Sequence, residues 1–161
     1  MRIAAHGLLV AGMALLTMSA ADAHVTVWPK TSTFGSYEKY TVRVPTEGKV
    51  ATTSVEVELP ASATFIAVGA PVGHTYELKK SGDRVSSVVW SMRIGPGEFA
   101  EFAFVARNPQ QGEELVWRAT QRFADGSSTQ WIGAPGTKQP APVTTLTAPP
   151  PRPARSVSGS H

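Results

Sequence analysis

Between residues 24 and 146 apolar side chains recur at every second position, in short runs separated by turns. Val25 and Val27 alternate with Thr26, and Tyr40, Val42 and Val44 alternate with Thr41 and Arg43. A period of two places one face of each run on a core and the other in water. Val55-Glu56-Val57-Glu58-Leu59 repeats the pattern and Pro60 ends it, while Phe65-Ile66-Ala67-Val68 is a short apolar run closed by Gly69 and Pro71. Thr75 to Lys80 and Val85 to Met92 flank Ser81-Gly82-Asp83, and Leu115 to Phe123 and Ser128 to Ile132 flank Ala124-Asp125-Gly126; both read as hairpins. Phe99, Phe102, Phe104 and Val105 form a further strand after Gly95-Pro96-Gly97. Turn signals return about every ten residues with no helical period between them, which predicts an all-β, antiparallel sandwich.

The two ends of the chain differ from this stretch. Residues 1–23 carry Arg2, an apolar segment including Leu8 to Leu16, and the small-x-small sequence Ala21-Asp22-Ala23, the pattern of a secretory signal cut after Ala23. The apolar segment is short for a membrane span, and no second run of spanning length follows, so the mature chain is expected outside the cytoplasm, periplasmic or secreted, without a membrane helix. Residues 147–161, with Ala148-Pro149-Pro150-Pro151-Arg152-Pro153 and a small polar end, have little to bury and read as a disordered Pro/Arg/Ser-rich tail.

Charge and composition narrow the function. The formal net charge is +3, and loss of Arg2 and Asp22 with the signal leaves it unchanged. The positive residues are scattered, unlike the clustered Lys/Arg of a nucleic-acid footprint. The chain has no cysteine, so disulfides and thiolate metal sites are excluded and any transition-metal site must use nitrogen, carboxylate or thioether ligands. Met92 is the one methionine left after residue 23, which argues against a thioether-rich Cu(I) site. Gly-x-Ser-x-Gly, His-Glu-x-x-His and phosphate-binding glycine loops are all missing, so an enzyme is not expected.

The candidate chemistry centres on His24. Cleavage after Ala23 makes it the first mature residue, with a free α-amine beside its imidazole, and the pair can chelate one metal ion. Two borderline nitrogen donors suit Cu(II) best among divalent first-row ions. If the strand starting at His24 pairs antiparallel with Tyr40 to Val44 across Ser32 to Ser36, His24 falls beside Val44 to Glu47. Glu47 is then the better carboxylate ligand, and Glu38, a strand length away, the reserve; both are otherwise solvated charges. Trp28, Trp90 and Trp117 read as core residues. Trp131 ends a strand before the Gly-rich, flexible-looking segment Ile132 to Gly136, where its indole could shield a metal and donate to a ligand, or cap the core. His74, in a turn, is either a second imidazole ligand or an exposed loop histidine.

These residues resemble the bacterial YcnI-like copper-binding family. The matching features are His24-Val25-Thr26-Val27 with Pro29, Tyr40 to Glu47, Val55 to Pro60, Gly97 to Phe102, and Asp125-Gly126-Ser127 followed by Trp131-Ile132-Gly133. The resemblance runs from His24 to about Thr145. It implies an immunoglobulin/fibronectin-like β-sandwich and a copper-homeostasis protein that stores Cu(II) or delivers it to another periplasmic or membrane carrier. The implied site is a monohistidine brace: amine and imidazole from His24, oxygen from Glu47 at the Val-Pro-x-Glu match, and Trp131 beside the ion. Two rival readings are a copper oxidase or oxygenase recruiting His74, and a structural or adhesive sandwich with no metal. Mass spectrometry of the secreted protein separates the last from the others: the brace requires a mature chain that starts at His24, and any other N-terminus removes the amine ligand.

Overall fold

The computed structural model describes residues 24–70 and 72–151. The expected signal, Pro71 and residues 152–161 of the expected tail lie outside them. Among the described residues there are twelve strands and no helix: β1 (Thr26–Trp28), β2 (Thr31–Thr33), β3 (Tyr37–Pro45), β4 (Thr52–Glu58), β5 (Thr64–Val68), β6 (Thr75–Ser81), β7 (Arg84–Ile94), β8 (Phe99–Arg107), β9 (Glu114–Val116), β10 (Arg118–Phe123), β11 (Ser128–Trp131) and β12 (Val143–Thr147). They form a four-stranded sheet in the order β1-β3-β8-β5, a five-stranded sheet β11-β10-β4-β7-β6, and a three-stranded sheet β2-β12-β9. The alternation seen in the sequence becomes the packing: Tyr40, Val42 and Val44 of β3 and Val55 and Val57 of β4 are all fully buried.

Aromatic rings join the four- and five-stranded sheets. Trp90 of β7 stacks on Phe102 of β8 at 5.4 Å between centroids, and Phe104, Tyr40 and Trp117 continue the column, with Tyr40 and Trp117 at 4.6 Å. Each ring pair contributes about 0.5–1.5 kcal/mol beyond the area it buries.

Four expectations need correction. The run from Leu115 to Phe123 is broken at Trp117, whose backbone N–H donates to Pro142 O (2.8 Å) and whose indole donates to Thr144 Oγ1 (3.1 Å). Its two halves therefore enter different sheets, β9 against β12 and β10 against β4. The connection after β1 contains β2, which pairs in parallel with β12, so β1 and β3 are not a simple hairpin. Trp28 is about half exposed, because burial of Val25 and Val27 turns it to the outer face, where Lys30 Nζ lies 5.1 Å from its ring. The last strand runs to Thr147, one residue into the expected tail, and residues 148–151 are exposed.

A polar pin secures the end of the sandwich that holds the β2–β3 turn. The buried Tyr40 hydroxyl donates to Asn108 Oδ1 at 2.6 Å. Asn108 Nδ2 in turn donates to Ser32 Oγ (2.9 Å), Thr33 O (2.9 Å) and Ser36 Oγ (3.1 Å). Burial, the largest influence, pushes the Tyr40 phenol up to about 12; the bond to Asn108 acts the other way and the Glu38 charge adds to the rise. The raised value means that Tyr40 contributes its full stabilisation below the ordinary tyrosine value of about 10 and loses it as pH climbs through about 12. Tyr40→Phe, which strands the buried Asn108 oxygen, should lower unfolding free energy by about 1–3 kcal/mol in urea titrations at neutral pH. The gap between variant and wild type should narrow above pH 10.

Candidate metal-binding site

Three pairs, Thr26↔Arg43, Val27↔Val42 and Trp28↔Thr41, fix β1 against β3. Continued outward, this register brings His24 level with the end of β3, as the pairing expected from sequence requires. His24, Pro45, Glu47, Gln121 and Trp131 line one cleft of about 360 Å³. His24 is half-buried, its imidazole meets the Trp131 ring edge-on at 5.2 Å and 63°, and its Nε2 is buried with no hydrogen-bond partner among the described residues. An orphaned ring nitrogen in a pocket is costly unless something compensates it.

Glu47 follows Thr46, whose backbone is tied in both directions to the turn before β8: Thr46 N–H donates to Glu98 O (2.9 Å) and Gly97 N–H to Thr46 O (2.8 Å). The Glu47 side chain is exposed at the cleft mouth. Lys49 and Lys138 also line the cleft, so its field is not purely acidic; a cation bound here would be held by coordination chemistry more than by net charge.

Trp131 packs in the core and also borders the cleft. It belongs to the core cluster and its ring flanks His24, but its indole N–H donates to Gln121 Oε1 at 3.2 Å and is not available to a metal ligand. The segment after it is not loose either. Gly133 N–H donates to Gln139 O (2.9 Å), and Ala141 N–H to Gly133 O (2.9 Å). Glycine is required at 133 because a Cβ there would run into the Thr137 hydroxyl and come within 2.9 Å of Gln139 O.

Two other sequence candidates fall elsewhere. Glu38 faces Ala106 across β3 and β8 and accepts a hydrogen bond from Ser32 Oγ at 2.6 Å. It is seven residues from Pro45 along the strand, about 23 Å at roughly 3.3 Å per residue. His74 lines a separate cleft with Met92 and Phe102, its ring edge-on to Phe102 at 4.9 Å and its Nδ1 3.0 Å from Val72 O. The two clefts share no lining residue. No cluster of three or more histidine and acidic side chains occurs among the described residues, so a metal here needs a donor beyond His24 and Glu47.

Sequence reasoning missed Gln121. Besides accepting from Trp131, it donates through Nε2 to Pro45 O (2.8 Å) and Thr52 Oγ1 (2.7 Å). Its signal was available: in Arg118-Ala119-Thr120-Gln121-Arg122-Phe123 it occupies an inward position, between Ala119 and Phe123.

Residues 24–146, the span that carries both the sandwich and the cleft, match a family model described as a domain of unknown function, DUF1775. The chain belongs to the DUF1775 family. It is 34% identical over 155 residues to the copper-binding protein CutI of Bacillus subtilis, an alignment that covers 94% of this chain and 74% of that protein. The resemblance to the YcnI-like family is thereby borne out. Among solved structures it is similar to an uncharacterized protein from Nocardia farcinica with an immunoglobulin-like fold, at 30% identity and a TM-score of 0.67, covering 78% of this chain and 99% of that one. A type I cohesin of ScaB from Pseudobacteroides cellulosolvens aligns at 14% identity and a TM-score of 0.50 over 86% of this chain and 97% of that one, and shares the fold. The DUF1775 domain of this chain is thus an immunoglobulin-like β-sandwich, as its strand pattern predicts. Within that domain Trp131 is a structural residue whatever else it does. Trp131→Phe, which keeps a ring but leaves Gln121 Oε1 buried and unpaired, should lower unfolding free energy by about 1–3 kcal/mol, measured by chemical denaturation.

Proposed function

We propose that this chain is an exported Cu(II)-binding protein of copper homeostasis, with copper as its cargo and no enzymatic activity. The observation that carries the reading is the convergence of His24, Glu47 and Trp131 on one cleft, three residues of which the outer two lie more than a hundred positions apart in the chain. The copper-binding name of the Bacillus subtilis relative supports the choice of ion.

In this reading, cleavage after Ala23 supplies the missing donor: the His24 α-amine joins its imidazole in a monohistidine brace, and Glu47 adds an oxygen. The Trp131 ring screens one side of the imidazole from water. One amine, one imidazole and one carboxylate leave coordination positions open, which suits storage and hand-over to another periplasmic or membrane copper carrier better than a closed structural site. The oxidase alternative asks for a second imidazole, and the separate cleft of His74 gives that no support.

Calorimetry and electron paramagnetic resonance on protein beginning at His24 test this. The expected result is one Cu(II) per chain, lost in His24→Ala and equally lost when a glycine is added before His24, because the added residue removes the chelating amine and spares the imidazole. Glu47→Gln should weaken binding, while Glu38→Gln and His74→Ala should leave it unchanged. Affinity should fall by about tenfold per pH unit once pH drops below the ordinary α-amine range of about 7.7–8.0, since the amine must lose its proton to bind. Unaltered tight binding in His24→Ala would overturn the reading.

A further inference from the structure

We infer that Gln121 is the positioning residue of this site, setting both the tryptophan wall and the glutamate arm through one buried amide; the inference rests on the copper reading above. The Gln121 side chain is almost fully buried and makes three hydrogen bonds to three different elements: Trp131 at the end of β11, Thr52 at the start of β4, and Pro45 at the end of β3 in the opposite sheet.

The orientation of the amide is determined by its partners. An indole N–H only donates, so the group 3.2 Å from it must be the Gln121 oxygen. A proline carbonyl only accepts, so the group 2.8 Å from Pro45 O must be the Gln121 nitrogen. The amide cannot be turned over without facing donor to donor and acceptor to acceptor. Thr52 Oγ1 extends the network to Thr46 Oγ1 at 2.6 Å, and Thr46 is the residue before Glu47. Thr46 and Thr52 are both buried. One connected set of buried polar groups therefore runs from the ring beside His24 to the backbone that carries Glu47, and crosses from one sheet to the other.

Gln121 has no spare donor for a ligand: both Nε2 protons are committed, to Pro45 O and to Thr52 Oγ1. Its role is to hold the groups that touch the ion. Groups that orient metal ligands in this way typically change affinity by about 10–100-fold when removed. Glutamate is a poor substitute. A carboxylate could still accept from the Trp131 indole but would turn a second acceptor onto Pro45 O.

The test compares Gln121→Leu with Tyr40→Phe, which weakens the fold at the opposite end, in protein that starts at His24. Gln121→Leu should bind Cu(II) at least about tenfold more weakly. Its paramagnetic resonance spectrum should be altered, whereas Tyr40→Phe should keep the wild-type affinity and spectrum. In metal-free protein the His24 ring-proton shifts, set by the Trp131 ring 5.2 Å away, should move in Gln121→Leu and not in Tyr40→Phe. If Gln121→Leu does not fold, Thr52→Val, which keeps the side-chain shape and removes one bond to Gln121, takes its place with the same readouts. Wild-type protein that fails to bind Cu(II) defeats the functional reading, and the metal-free shifts still decide the role of Gln121. Wild-type affinity, spectrum and shifts in the Gln121 variant overturn the positioning role.

Discussion

The pairing of β1 with β3 is the constraint on which the cleft depends. It consists of three residue pairs on an edge strand, yet it fixes a parity: Val25 and Val27 enter the core, and Trp28 turns outward. A slip by one residue would reverse that assignment and expose both valines, so the core itself specifies the register. His24 lies two residues before the paired stretch and is released from its alternation. It can therefore leave the line of β1 and meet Trp131, which belongs to the other sheet. His24 is thus the first residue that the strand no longer controls, held in place by the strand that follows.

Apolar burial alone would not hold two sheets in fixed alignment, because it is nearly indifferent to small sliding. The aromatic column from Trp90 through Phe102 and Phe104 to Trp117 supplies cohesion. Direction comes from two buried polar devices. At one end Tyr40 and Asn108 clasp the β2–β3 turn, and at the other Gln121 spans from β10 to the end of β3. Hydrogen bonds impose geometry within a few tenths of an ångström, so these groups add alignment to what the rings supply in affinity.

Much of this was legible in the sequence. Period-two alternation located most of the strands, and Gly82 and Gly126, with φ of +62° and +85°, sit in the expected hairpin turns. Even the neighbourhood of His24 and Glu47 followed from antiparallel pairing, since register converts sequence separation into position. What was not legible depends on partners far along the chain. The break at Trp117 is made by Pro142 and Thr144, and the parallel pairing of β2 is made by β12. Trp28 faces outward because strand parity, set by the buried Val25 and Val27, outranks its hydrophobicity. Gln121 looked like an ordinary polar residue, and only its place on an inward face, between Ala119 and Phe123, marked it as needing three partners.

The edge-on contact between His24 and Trp131 also has a photophysical side. An excited indole loses its energy readily to an electron acceptor a few ångströms away and poorly to one across the protein. Among the described tryptophans, Trp90 and Trp117 sit in the aromatic column and Trp28 lies under Lys30, whereas Trp131 touches the imidazole. One emitter in four is therefore in ring contact with the cleft histidine, and the fold carries an optical label of its own at His24.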